Sequence, residues 1–387
     1  MLIAFISLII WFFYLIFSYF FTNQSILLMM APVYPKAEKL ISLVKLGNTH
    51  REVMMFIWIG LMVLLMVIQF FCFIKGNSFL WNKKIIIVLL MVFVMASLSY
   101  PLFSNDIFNY LFGAKTVVYY HQNPFLVMPK TFFNDDLWLR FTHNIDNIYY
   151  YINKVPITYF YGPVFLIYTL IPFLFFGAVE FHKLFLGYKI MGAVLYLGTG
   201  YLFKKINKKD NLVWAYWFFN PFLILELLTN SHNDLIMIFL FVLAVYLWKK
   251  NKILGLFSFL LSILTKWVSV GLGVVFLFKP KDRYLVYKII GLIILFLNAY
   301  YQRHAWYYSW IYMVFPFAKL KKSSWFWIII FQSVLVFNYT SIVWLNTLVF
   351  NSWLNLVKWV LPMIILINEF GWVFRDKNLY RRKLITI

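Results

Sequence analysis

The chain has 387 residues, 64% hydrophobic and 23% aromatic, and its 12% of charged residues is about half the share found in soluble globular domains. Apolar runs of about 18 residues or more exclude an ordinary soluble domain and point to an all-α polytopic membrane protein. The formal charge of +22 lies in short clusters between those runs, which excludes a nucleic-acid-binding domain and fits the positive-inside rule.

The first run, "MLIAFISLIIWFFYLIFSYFF", lacks basic residues and a small-residue cleavage site, so it reads as a first membrane helix rather than a removed signal peptide. Further apolar runs lie near 53–74, 85–103, 157–179, 184–203, 212–229, 235–248, 253–264, 267–278, 285–300, 307–318, 325–337, 340–350 and 355–374. Lipid offers the backbone no hydrogen-bond partner, so these runs should be helical. Some are too short to cross about 30 Å of hydrocarbon, which predicts a bundle of about ten to thirteen crossings plus re-entrant or broken helices. No stretch outside them is long enough for a separate soluble domain, so residues 1–387 read as one transmembrane domain. The single Cys72 allows no internal disulfide.

Basic punctuation orients the bundle. "NKK" (82–84), "KKINKK" (204–209), "KKNK" (249–252), "KPKDR" (279–283), "KLKK" (319–322) and "RDKNLYRRK" (375–383) read as cytoplasmic. Residues 104–154, 229–234 and 302–310 then fall on the opposite face. Segment 104–154 mixes aromatic and polar residues and suits short amphipathic helices in the interface. The stretch 253–278 is interrupted at Thr265-Lys266-Trp267, which predicts a V with Lys266 at its tip. One conflict stands: two apolar segments separate the 104–154 loop from "KKINKK", so either one is re-entrant or "KKINKK" lies outside.

Three polar constellations stand out. In "SNDIFNYLFG", a helix over 104–117 places Asp106, Asn109, Tyr110 and Gly113 on one face, with Ser104 able to cap it. Asp106 then serves either the helix dipole or, at the membrane surface, as a general base whose pKa partial burial would raise. "YHQNPF" (120–125) and "YFYGPVF" (159–165) read as turns, the second carrying Tyr161 and starting a helix at Pro163. In "LLTNSHNDLIM" (227–237), Thr229 to Asp234 form either a solvated hairpin tip or the wall of a site in which His232, Asn233 and Asp234 meet sugar or phosphate. Glu226, just upstream in an apolar run, calls for a polar cavity or a partner cation. In "YYQRHAWYYSW" (300–310), Arg303 and His304 can meet a phosphate, and Trp306 and Tyr307 can stack on a sugar or form an interfacial belt. Lys266 is a further phosphate candidate or a snorkelling side chain.

No P-loop, dinucleotide fingerprint or zinc spacing is present. A divalent cation, Mg2+ or Mn2+, could still sit between carboxylates and a phosphate.

The ordered set "SNDIFNYLFGAKTVVYYHQNPF", "YFYGPVF", "NSHNDLIM", "LTKW" and "HAWYYSW" resembles the GT-C glycosyltransferases of bacteria, in particular the polyprenol-phosphate-mannose-dependent α-mannosyltransferases. The resemblance covers about 100 to 310. It implies a GT-C-like bundle that moves a hexose, mannose by the likeness, from a polyprenyl-phosphate donor to a glycan or glycolipid acceptor at the outer membrane face. The family's catalytic acid falls on Asp106, its His-Asn-Asp segment on His232, Asn233 and Asp234, and its Trp-Tyr segment on Trp306 and Tyr307. Many relatives carry two acids in the first loop, whereas here Asn105 precedes Asp106. The competing classes are a flippase or transporter of a lipid-linked sugar, which needs no base, and a membrane acyltransferase using His232. Paired repeats, common in transporters, are absent from the sequence.

Overall fold

Apolar chain in lipid must satisfy its backbone internally, and the structure, a computed structural model, is helical wherever it is regular. It describes residues 1–21, 37–75, 83–104, 106–132, 135, 158–178, 181–207, 211–279, 282–301, 304–345 and 352–384, and has no strand among them. Most of the segment expected to hold interfacial helices, 136–157, lies outside the described residues, as do Asn105 and Arg303.

Four helices open the chain: α1 (Leu2–Tyr19), α2 (Ala37–Thr49), α3 (Arg51–Lys75) and α4 (Lys83–Leu98). Tyr14 and Phe17 of α1 pack on Trp58 of α3 at 5.9 and 6.2 Å, and the Tyr19 hydroxyl donates to the Leu98 carbonyl at the end of α4. Next come α5 (Asp106–Val118), α6 (Pro163–Phe176) and α7 (Phe181–Ile206). A π-helical turn, Trp214–Phe218, leads into α8 (Pro221–Thr229), whose Ile224–Thr229 half is itself π-helical. Helix α9 (Asp234–Trp248) leaves α8 at 110°. Helix α10 (Lys252–Thr265) is followed by a 3-10 arm, Trp267–Phe276. Then follow α11 (Arg283–Tyr301), a 3-10 segment Ala305–Met313, α12 (Lys322–Asn338), α13 (Thr340–Leu345) and α14 (Ser352–Leu384).

Among the described residues α1, α3, α11 and the α12–α13 stretch are long and apolar enough to cross a membrane, and the bent α8–α9 pair makes a fifth. Of the other runs read as crossings, α7 and α14 are long but not apolar enough throughout, and the rest are short, 3-10 or π-helical. The V forms as the interruption predicts: Lys266 takes an extended backbone (φ −153°, ψ 114°) between α10 and the 3-10 arm.

The conflict before "KKINKK" resolves toward a re-entrant segment. Helix α6 has 14 residues, about 21 Å of rise, and starts beside the V tip, where the Gly162 N–H meets the Thr265 carbonyl. Helix α7 runs antiparallel to α4: Lys189 reaches Ser99, and Tyr196 lies 4.9 Å from Phe93. Lys204 and Lys205, in the last turn of α7, therefore share an end of the bundle with Lys83 and Lys84.

Lys189 sets the depth of the polar turn after α8. It is 1% exposed, and its ammonium donates to the carbonyls of Ser99 (3.2 Å), Leu228 (3.4 Å) and Thr229 (2.5 Å). A buried cation survives when acceptors surround it, and removing it strands those acceptors. Lys189→Met is expected to destabilise the detergent-purified protein by at least about 2 kcal/mol, read as a lower thermal unfolding midpoint. An unchanged midpoint would show that the turn does not depend on it.

Candidate active site

Asp106 opens α5, where its backbone N–H donates to the Ser104 hydroxyl oxygen at 3.3 Å, so the expected cap is present. One turn later Tyr110 donates its hydroxyl to Asp106 Oδ2 at 3.3 Å and accepts from the Asn233 backbone N–H at 3.4 Å. The helical spacing thus brings Asp106 and Tyr110 together, but Asn109 is exposed and makes none of these contacts. The Asp106 side chain is 31% exposed, whereas Glu226 and Asp234 are buried.

The turn after α8 is not a solvated hairpin tip. Thr229, Asn230, Ser231, His232, Asn233 and Asp234 are all 5% exposed or less. Ser231 holds a left-handed φ of 60°, a costly conformation for a non-glycine residue, which the bonds of the turn enforce. The Thr229 hydroxyl donates to the Ala96 carbonyl, the Tyr188 hydroxyl to the Ser231 carbonyl, and the Asn230 amide accepts from the Phe103 N–H while donating to Glu226 at 3.1 Å. These contacts come from α4, α7 and the loop before α5, so the turn is fixed from three sides.

At its centre His232 lies between two carboxylates: Nδ1 is 3.3 Å from Asp106 Oδ2 and Nε2 is 3.3 Å from Glu226 Oε2. Both ring nitrogens thus face a carboxylate oxygen. Glu226, fully buried, is held by Asn230 and by the hydroxyl of Tyr339, whose ring stacks on Phe103 at 4.4 Å. The partner that the apolar setting of Glu226 called for is therefore an imidazole beside two hydrogen-bond donors.

The expected rise of the Asp106 pKa is reversed. Burial pushes the carboxyl up, but the adjoining His232 imidazole, the Lys266 ammonium and the Tyr110 hydroxyl together hold it below its ordinary value.

The V tip supplies the other wall. Lys266 Nζ is 2.8 Å from Asp234 Oδ1 and 3.5 Å from Asn233 Oδ1, and it lies 5.1 and 5.2 Å above the Tyr307 and Trp310 rings. Trp310 Nε1 also donates to Asp234. The Lys266 charge is thus matched, and the residue spans site and 3-10 segment rather than snorkelling free. Tyr161 packs edge-on to Tyr110 at 4.8 Å, and its neighbour Gly162 donates its N–H to the Thr265 carbonyl. A second backbone bond, from the Tyr159 N–H to the Pro124 carbonyl, ties "YFYGPVF" to "YHQNPF".

Trp306 lies between two imidazoles, stacked on His232 at 4.4 Å and on His304 at 4.2 Å. Trp306 thus links His232 to His304 through ring contacts. Among the described residues no group of three or more His, Cys, Asp or Glu side chains is disposed to hold a metal ion.

The structure therefore gathers Asp106, Tyr110, Tyr161, His232, Asn233, Asp234, Lys266, His304, Trp306 and Tyr307 in one place and leaves Asn109 aside. Sequence reasoning missed Tyr339, Trp310 and Asn230 as supports, since nothing in a Tyr or Trp within an aromatic-rich chain marks its partner. Asn233 Nδ2 and Asp234 Oδ2 are buried without a hydrogen-bond partner among the described residues. Buried orphan polar atoms clustered at one mouth are what a polyhydroxylated ligand satisfies.

In comparison with known proteins, the model of the family described as "Alpha-(1->6)-mannopyranosyltransferase, N-terminal domain" matches residues 19–279, well over half of the chain. The chain belongs to this family. The match takes in Asp106, Glu226, the His232–Asp234 segment and Lys266, and ends before His304. No curated protein and no solved structure matches.

Proposed function

For this member of the alpha-(1->6)-mannopyranosyltransferase family, we propose transfer of a mannosyl residue from a polyprenyl-phosphate donor to a glycan or glycolipid acceptor, with inversion and with Asp106 as general base. The observation that carries the reading is the pairing of a half-open carboxylate with a sealed, partly orphaned His232–Asp234 wall.

An acceptor hydroxyl seated against Asp106 attacks the anomeric carbon from the face opposite the phosphate. The new C–O bond forms as the bond from that carbon to the phosphate oxygen breaks. Its electron pair leaves with the polyprenyl phosphate, and the hydroxyl proton passes to Asp106. A (1->6) linkage places the acceptor at a primary hydroxyl, the least hindered on a hexose. His232, held by Glu226 and Trp306, keeps the Asp106 oxygen in place and balances its charge. Asn233 and Asp234 have the free capacity to bind the sugar's hydroxyls, and the aromatic floor of Tyr110, Tyr161 and Tyr307 excludes water.

Orientation follows from the basic ends. Lys83–Lys84 and Lys249–Lys252 sit at the ends of α4, α9 and α10 that lie away from the site, which by the positive-inside rule supports an extracytoplasmic Asp106.

The test is incubation of purified protein in liposomes with radiolabelled polyprenyl-phosphate mannose and a mannoside acceptor. A labelled mannosyl product is expected. Movement of intact donor between leaflets without product would instead mark a flippase, and turnover of an acyl donor would mark an acyltransferase.

A further inference from the structure

Helix α14 buries a cation that no neighbour neutralises. Lys358 is 3% exposed, and no hydrogen bond or ion pair reaches it among the described residues. It belongs to a buried stripe with Leu361, Ile365 and Glu369. The far end of that stripe is fully matched: Glu369 takes Lys288 Nζ at 2.5 Å, the Lys321 N–H at 2.8 Å and the Ser324 hydroxyl at 2.7 Å. Eleven residues of helix, about 16 Å, separate the two charges. Lys358 therefore cannot share those partners.

Its position along the bundle is fixed by α11, which runs antiparallel to α14. Lys288 near the start of α11 pairs with Glu369, while Phe296 and Tyr300 near its end meet Trp359 at 6.3 and 6.4 Å. Lys358 is thus level with the last turn of α11, just before the chain reaches His304. The Asn298 amide, in the same turn, donates to the Tyr307 carbonyl and pins the 3-10 segment there. Lys358 thus lies at the same end of the bundle as the segment that begins at His304. From His304 the stack runs through Trp306 to His232 and so to Asp106.

Three other cations near the site already face acidic or carbonyl oxygens among the described residues. Lys266 is matched by Asp234, Lys189 by three carbonyls, and His232 lies between Asp106 and Glu226. Three carboxylates crowd this mouth, so an anionic ligand needs a positive group not already matched by one of them. A lysine enclosed in a helical bundle with no described anion beside it is costly enough that a protein retaining one gains something from it.

We propose that Lys358 is the anchor for the donor's phosphate, an assignment that rests on the polyprenyl-phosphate reading above. The donor is a phosphodiester with one negative charge, and the product is a phosphomonoester that can carry two. An ammonium held at the phosphate therefore interacts more strongly as the leaving group departs, which favours the transition state over the bound donor.

Farnesyl phosphate and farnesol serve as probes, with full-length protein in neutral phosphatidylcholine nanodiscs. Wild-type protein is expected to bind the phosphate more tightly than the alcohol. Lys358→Met should weaken farnesyl phosphate by about 10- to 100-fold, leave farnesol unchanged, and raise the unfolding midpoint of the ligand-free protein, because an unpaired buried charge has been removed. Lys358→Arg should keep most of the phosphate preference. Wild-type affinity for farnesyl phosphate in Lys358→Met overturns the anchor while leaving the donor reading intact. A lowered midpoint with loss of both probes also overturns it, since Lys358 would then be structural. If wild-type protein does not distinguish phosphate from alcohol, the donor reading fails and the anchor with it.

Discussion

Asp106→Asn is expected to lower turnover by about 10^2- to 10^4-fold, the range a positioned general base contributes, while the protein folds and binds donor as before. The asparagine carbonyl can still accept from Tyr110, now 3.3 Å from Asp106 Oδ2, so shape and hydrogen bonding are largely kept and only the proton acceptor is lost. The pH profile sharpens the test. A carboxyl held below its ordinary value stays ionised through neutrality and loses its base function only as pH falls through that lowered value. The acid limb owed to Asp106 should therefore lie below about pH 3.9, the ordinary aspartate value. Near wild-type transfer by monodisperse Asp106→Asn protein would end the base assignment, and an Asp106-dependent limb near neutrality would contradict the electrostatic picture.

Gly162→Ala should be the most damaging single-carbon change in the described chain. A Cβ at Gly162 would stand 1.9 Å from the Leu264 carbonyl oxygen and 2.8 Å from that of Thr265. Both are backbone atoms at the end of α10, so no rotamer change relieves the clash. The turn that carries Tyr161 and the tip that carries Lys266 would be pushed apart, and the Gly162 N–H to Thr265 carbonyl bond would break. A destabilisation of about 3 kcal/mol or more is expected in thermal unfolding, with activity lost in parallel. Gly60→Ala is the control: nothing lies within 4 Å of its Cβ position, and in a helix interior alanine is favoured by up to about 1 kcal/mol. Equal midpoints for the two variants would show that the close approach is not maintained.

Fold class was legible because apolar run length and the lack of partners in lipid leave only helices. The V at Lys266, the cap at Ser104 and the helix start at Pro163 were legible too, since each is written in local chemistry. The burial of Thr229–Asp234 was not. A polar hexapeptide between apolar runs has the same composition whether water or α4, α5 and α7 surround it. Asp106 could be picked out as a lone carboxylate at a helix start, but the direction of its pKa depended on His232 and Lys266, more than 120 residues away. Lys189 and Lys358 were overlooked although charge within an apolar run was the rule that exposed Glu226.

The arms of the V have a consequence for the lipid around them. Fourteen α-helical residues rise about 21 Å and ten 3-10 residues about 20 Å, well short of a hydrocarbon layer about 30 Å thick. Beside these arms the bilayer has to thin or pucker. On that flank the headgroup plane dips toward residue 266, so the lipid–water boundary comes nearer to the V tip than a full-thickness bilayer would allow.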